Sequence, residues 1–211
     1  MRIGIVACET FERALEAVIK DDPNIVHKEY LEFGLHTYPD KLRATVVDKV
    51  NALEGKVDAV LLAYGICNSL KDVTDELLVP SVRLQADDCI GVMITPQQYE
   101  VERKRCAGTF YHTPYFAKMG REWFENEVRS KMPDFEELGL DLDWYLDQLF
   151  GGYARVLFID DGLEGIEVYE GMSRRFAEER KLRFERRHGT LSMLAQGLAM
   201  AKELARASSA L

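Results

Sequence analysis

"VDAVLLAYG", residues 57–65, is an almost unbroken apolar run that stops at a tyrosine and a glycine. A strand with one wet face alternates apolar and polar positions. A run without alternation belongs to a strand covered on both faces, as in parallel sheets. "RIGIVA" (2–7) and "ARVLFIDDG" (154–162) have the same character. "NIVHKEYLE" (24–32), "LVPSVRLQ" (78–85), "GTFYHT" (108–113) and "LRFERRH" (182–188) read as further strands. Helical patterns lie between them. Residues 9–20 carry Phe11, Leu15, Val18 and Ile19 on one face, and 39–54 place Pro39 in a first turn. Asp87 or Asp88 caps a helix expected from Cys89 to about residue 104. Others are expected over 114–132, 141–150, 167–180 and 190–207.

Strand–helix alternation of this kind predicts an α/β fold: a doubly wound, mostly parallel sheet with helices on both faces, Rossmann-like in outline. The first strand is not followed by Gly-x-Gly-x-x-Gly, and there is no Walker-type Gly-Lys-Ser/Thr, so no nucleotide fingerprint is present. The expected organisation is a single domain over 1–211, with the acidic, aromatic stretch 130–152 as a possible insertion.

With 211 residues, 47% of them hydrophobic, the chain has enough apolar material for a substantial core. Its net charge of -9 and lack of a basic face interleaved with aromatics argue against nucleic acid as a partner. No apolar run reaches bilayer length, so no membrane is expected either. "MRIGIVAC" starts directly as a strand, without signal-peptide architecture, which leads to a cytoplasmic expectation. In that compartment four cysteines are core residues, metal ligands or reactive thiols rather than disulfides.

Ligands in open α/β sheets bind at the carboxyl ends of strands. Cys8 follows the first strand, Cys67 the 57–65 strand and Cys89 the 78–85 strand. If these strands are parallel neighbours, three thiols gather on one edge. Helix starts after Cys8 and Cys89 are expected to favour thiolates, the form that binds zinc or an iron–sulfur cluster. Taken singly, each cysteine is more simply a core residue, and no Cys-x-x-Cys pair is present. His36 is either a fourth ligand or a capping group, and Cys106 lies in a basic stretch and is incidental. Tyr64, Gly65, Asn68 and Asp88 flank the thiols and are candidates to contact a bound group. Glu9 and His112 are candidate proton carriers. Asp160 and Asp161 either end a strand in a turn or bind a cation or hydroxyl.

In order, "ACE", "GLHTYPDKLR", "VDAVLLAYGICN", "VPSVRLQADDCI" and "GTFYHTPYF" resemble the family called domain of unknown function 1638, over most of the chain. Asp87 stands where that pattern usually has His, and Phe116 stands near its Trp. The resemblance implies a setting beside corrinoid-dependent methyltransferases and their iron–sulfur activators, with corrinoid reached only through a partner. The leading expectation is a small protein with a three-cysteine site for an iron–sulfur cluster or zinc, in corrinoid-linked methyl transfer or one-carbon metabolism. Two alternatives stand beside it. One is a metal-free enzyme with Cys89 as nucleophile and His36 or His112 as base. The other is a non-enzymatic partner that docks a methyltransferase or corrinoid protein through residues 134–150.

Overall fold

The computed structural model describes residues 1–67 and 69–208. The chain divides into two compact units, Met1–Tyr99 with Gly189–Leu211, and Glu100–His188. The first unit opens with β1 (Ile3–Cys8), α1 (Glu12–Ile19), β2 (Ile25–Leu31), α2 (Pro39–Asn51), β3 (Ala59–Ala63), β4 (Ser81–Arg83) and α3 (Cys89–Ile94). Helix α4 (Pro96–Arg105) leads into β5 (Thr109–His112), α5 (Pro114–Lys118), α6 (Arg121–Lys131), α7 (Leu142–Phe150), β6 (Arg155–Asp160), α8 (Ile166–Glu179) and β7 (Arg183–His188). The chain then returns to the first unit with α9 (Ser192–Ser208).

All strands are parallel, in a β2-β1-β3-β4 sheet and a β5-β6-β7 sheet. The α/β class and parallel strands follow the expectation; the division into two sheets differs from it. Apolar runs identify strands, but pairing is non-local, and β5 pairs with β6 rather than with β4. Every residue of β1, β3 and β6 is buried, as two-sided cover requires.

In the first sheet the chain steps from β1 to β2 on one side, then crosses back to β3 on the other. Right-handed crossovers in opposite directions put α1 and α2 on opposite faces. The reversal lies between β1 and β3, the place where such sheets bind ligands. Helix α9 packs on β3 and β4. A Cβ at Gly197 would stand 2.6 Å from Leu84 Cδ2 and 3.0 Å from Leu61 Cδ1, so glycine permits that approach.

Two expected helices are broken. The helix from Cys89 stops at Thr95 (φ 70°) and restarts at Pro96, which has no N–H to continue the ladder. The 114–132 helix stops at Lys118 and restarts after Gly120. In the second unit, the stretch proposed as an insertion packs inward. Phe135, Leu142, Leu146 and Phe150 join Phe124 and Val128 in one buried cluster. Arg155 is fully buried at the start of β6, where its guanidinium donates to Glu102 (2.6 Å), Glu185 (2.6 Å) and Thr109 (2.8 Å). Among the described residues no helix is long and apolar enough to cross a membrane.

Candidate functional site

Cys8 ends β1, Cys67 lies four residues beyond β3, and Cys89 opens α3 after β4. Because β1, β3 and β4 are successive parallel neighbours, the three positions share one carboxyl edge. They line a single cavity of about 270 Å³ at the β1/β3 reversal. Tyr64, Gly65, Asp88 and His36 also line it, and Phe11, Phe33 and Ile90 supply apolar wall.

The loops carrying Cys67 and Cys89 are laced together. Ile66 N–H donates to Ala86 O and Cys67 N–H to Asp87 O, both at 2.8 Å. Gly65 makes this possible: a Cβ there would meet Asp88 Cα at 2.8 Å and Ala86 O at 2.9 Å. The glycine therefore brings two loops together, which is a different task from admitting backbone to a bound ion. Cys67 itself has φ 45°, in the left-handed region that a non-glycine residue rarely enters.

Asp88 is the N-cap of α3. It accepts from Gly91 N–H (3.0 Å) and Tyr99 Oη (2.9 Å), so both its oxygens are engaged in holding the helix that carries Cys89. Asp87 is exposed and contributes its carbonyl to the Cys67 loop. His36 sits in a 3-10 turn, Phe33–Thr37. Its ring packs against Phe33 with centroids 4.2 Å apart, and Nδ1–H donates to the Phe33 carbonyl. With that proton committed, the neutral ring has its lone pair on Nε2. Metal-binding histidines commonly hold the other nitrogen on a carbonyl in this way. Glu9 accepts from Phe33 N–H at 3.3 Å and lies close enough to Cys8 and Tyr64 to raise both pKa values.

Burial dominates the electrostatics. It pushes the Cys8 thiol up to about 12, the Cys67 thiol up to about 11, and Cys89 well above the ordinary thiol value. The thiols also raise one another, and Asp88 raises Cys67 and Cys89. The helix starts expected to favour thiolates are outweighed: Cys8 is followed by a 3-10 turn, and α3 has only six residues. The Tyr64 hydroxyl is buried without a hydrogen-bond partner among the described residues, and its pKa is also driven up by burial.

Asn68 lies outside the described residues. His112 belongs to the second unit, at the end of β5, and lines a different cavity. Asp160 ends β6 in that unit and Asp161 follows it. Asp160 accepts from Arg186 (2.6 Å), which holds its carboxyl below the usual range against the opposing effect of burial. Cys106 is not among the cavity's lining residues. Sequence reasoning missed the orphaned Tyr64 hydroxyl, which depends on what surrounds it across elements, and the orientation of His36, which Phe33 sets within the same 3-10 turn. Among the described residues no three His, Cys, Asp or Glu side chains are grouped to grip a single ion as they stand.

Fold and site together define a doubly wound α/β protein with a thiol-lined cavity at its strand reversal, distinct from the nucleotide binders that carry glycine-rich fingerprints. The chain belongs to the family described as "Protein of unknown function (DUF1638)", which it matches over residues 30–198. The matched span includes His36, Cys67, Cys89 and His112, and Cys8 and Glu9 precede it. No curated protein matches the chain.

Proposed function

We propose that the protein holds a soft metal centre on Cys8, Cys67 and Cys89, with His36 beside it, at the carboxyl edge of the first sheet. The observation that carries this reading is the meeting of all four side chains on one cavity, although they are distant in sequence. Each thiol would lose its proton to water as its sulfur takes up the metal, so the cation replaces mutual repulsion with attraction. The donor set fits: three sulfurs, a histidine whose Nε2 carries the lone pair, and an unpartnered tyrosine hydroxyl. A volume of about 270 Å³ exceeds what one ion needs. It leaves room for an iron–sulfur cluster, or for a zinc ion together with a bound substrate.

Raised thiol pKa values favour this reading over a free cysteine nucleophile, which needs a thiolate at neutral pH. If the centre is catalytic, Glu9, next to Cys8 in sequence, is a candidate proton carrier. Corrinoid-linked methyl transfer is the wider part of the proposal and rests on the family resemblance. It predicts that the metal-loaded protein alters the absorption spectrum of a corrinoid protein mixed with it, whereas the metal-free protein does not.

Protein prepared without oxygen is expected to carry stoichiometric iron with acid-labile sulfide and broad visible absorption, or stoichiometric zinc if the centre is a single ion. Absence of both, with no uptake on reconstitution with ferrous iron and sulfide or with zinc, would overturn the proposal.

A further inference from the structure

A second cavity, of about 490 Å³, lies wholly within the second unit. His112 lines it at the carboxyl end of β5, the end at which parallel sheets present their ligand-binding residues. The imidazole is 2% exposed. Its Nδ1 is held 2.9 Å from Ser173 Oγ on α8, and the rings of Phe110, Phe116 and Phe176 surround it at centroid distances of 5.0, 5.7 and 4.8 Å. Its Nε2 is buried with no hydrogen-bond partner among the described residues. Folded proteins seldom leave such a nitrogen unpaired, and one that lines a cavity has room for a partner from outside.

The charge of the same cavity is the second observation. Four cationic side chains line it against one carboxylate, Glu179, in a chain whose net charge is -9. Two of the cations are already engaged: Arg121 pairs with Asp143, and Arg180 with Asp143 and Asp147. Lys118 and Arg175 have no ion-pair partner among the described residues. Met172 and Phe176 add apolar wall beside the imidazole. Two cations without an ion-pair partner among the described residues (Lys118 lies over the Tyr115 ring at 5.5 Å), an apolar wall and an unpaired buried nitrogen are the components of a site for an organic anion.

We propose that this cavity binds a small organic anion, whose carboxylate or phosphate group meets Arg175 and Lys118, whose apolar body packs on Met172 and Phe176, and whose polar atom pairs with His112 Nε2. The site is independent of the thiol-lined cavity and holds whether or not that cavity takes a metal. Ser173 acts as a positioning residue, since it fixes the ring through Nδ1.

The test is titration of the full chain with benzoate and with phenyl phosphate, using benzyl alcohol and inorganic phosphate as controls. Saturable binding of at least one organic anion at millimolar concentration is expected, and the tighter of the two identifies the preferred head group. Arg175→Gln should weaken it about tenfold, with Arg175→Lys closer to the parent, because a charged hydrogen-bond partner is lost in the first case only. The chain has four histidines, so the ring nitrogens of ¹⁵N-labelled protein are resolvable by NMR, and Nε2 of His112 should shift on titration. His112→Gln should abolish that signal and weaken binding. If that variant does not fold, the Arg175 pair still decides. No saturable binding of either anion, equal binding of benzyl alcohol or inorganic phosphate, or indifference to Arg175→Gln would each overturn the proposal.

Discussion

Gly65 controls how closely the loop bearing Cys67 approaches the loop bearing Cys89. Gly65→Ala must open that junction, since backbone atoms at 2.8–2.9 Å from the new Cβ have no rotamer to change. A loss on the order of 1–3 kcal/mol in denaturant unfolding is expected, together with weaker metal retention. Cys67 permits a sharper separation of stability from function. Its φ of 45° suits glycine, so Cys67→Gly should leave the metal-free protein as stable or up to about 1 kcal/mol more stable, while removing a ligand. Cys8→Ser, Cys67→Ser and Cys89→Ser should each reduce bound metal per chain at least about tenfold, and Cys106→Ser should not, as measured by elemental analysis. The three cysteines were legible because strand ends can be read from apolar runs. Their protonation was not. A helix start is visible in sequence, whereas the burial that overrides it depends on how the strand ends and their loops pack together. The sequence marks β5, which ends at His112, as a strand but not as a partner of β6.

At the scale of elements, Asp88 ties the order of α3 to the position of Cys89. Asp88→Ala removes the cap and the Tyr99 hydrogen bond, and should cost about 0.5–2 kcal/mol by the usual range for N-caps. Asp88→Asn keeps an acceptor for Gly91 N–H and should lose much less, a difference readable in thermal melts. The seven strands among the described residues are all marked by the pattern, most plainly β1, β3 and β6, where two-sided burial leaves no alternation to misread. The helices were found but joined too freely. Pro96 carried the breaking signal in plain view, and Gly120 carried a weaker one. The 130–152 stretch reads as a candidate insertion because acidic and aromatic residues dominate its composition. Leu142, Leu146 and Phe150 on one face of α7, with Phe135 before it, place the stretch in a core.

For the molecule as a whole, acid should act first on the second unit. Burial depresses the His112 pKa from 6.5 to about 3. The unfolded chain therefore binds this proton at a pH where the folded chain does not. The stabilisation is complete above about 6.5 and falls by up to about 1.4 kcal/mol per pH unit as pH drops towards 3. Between about 6.5 and 4.5, before the carboxylates titrate, the protection factors of amides in β5 and β6, corrected for the slower intrinsic exchange at lower pH, should fall, and His112→Gln should remove the trend. The path of the chain has a consequence for biosynthesis. The first sheet is complete in sequence at Arg83, yet α9, which covers β3 and β4, begins only at Ser192. The ribosome must produce the entire second unit while Leu61 and Leu84 await Gly197 and its neighbours. A nascent chain paused before that point presents an uncovered apolar face, which makes it a client for chaperones, and a chain ending at His188 should be recovered as aggregate.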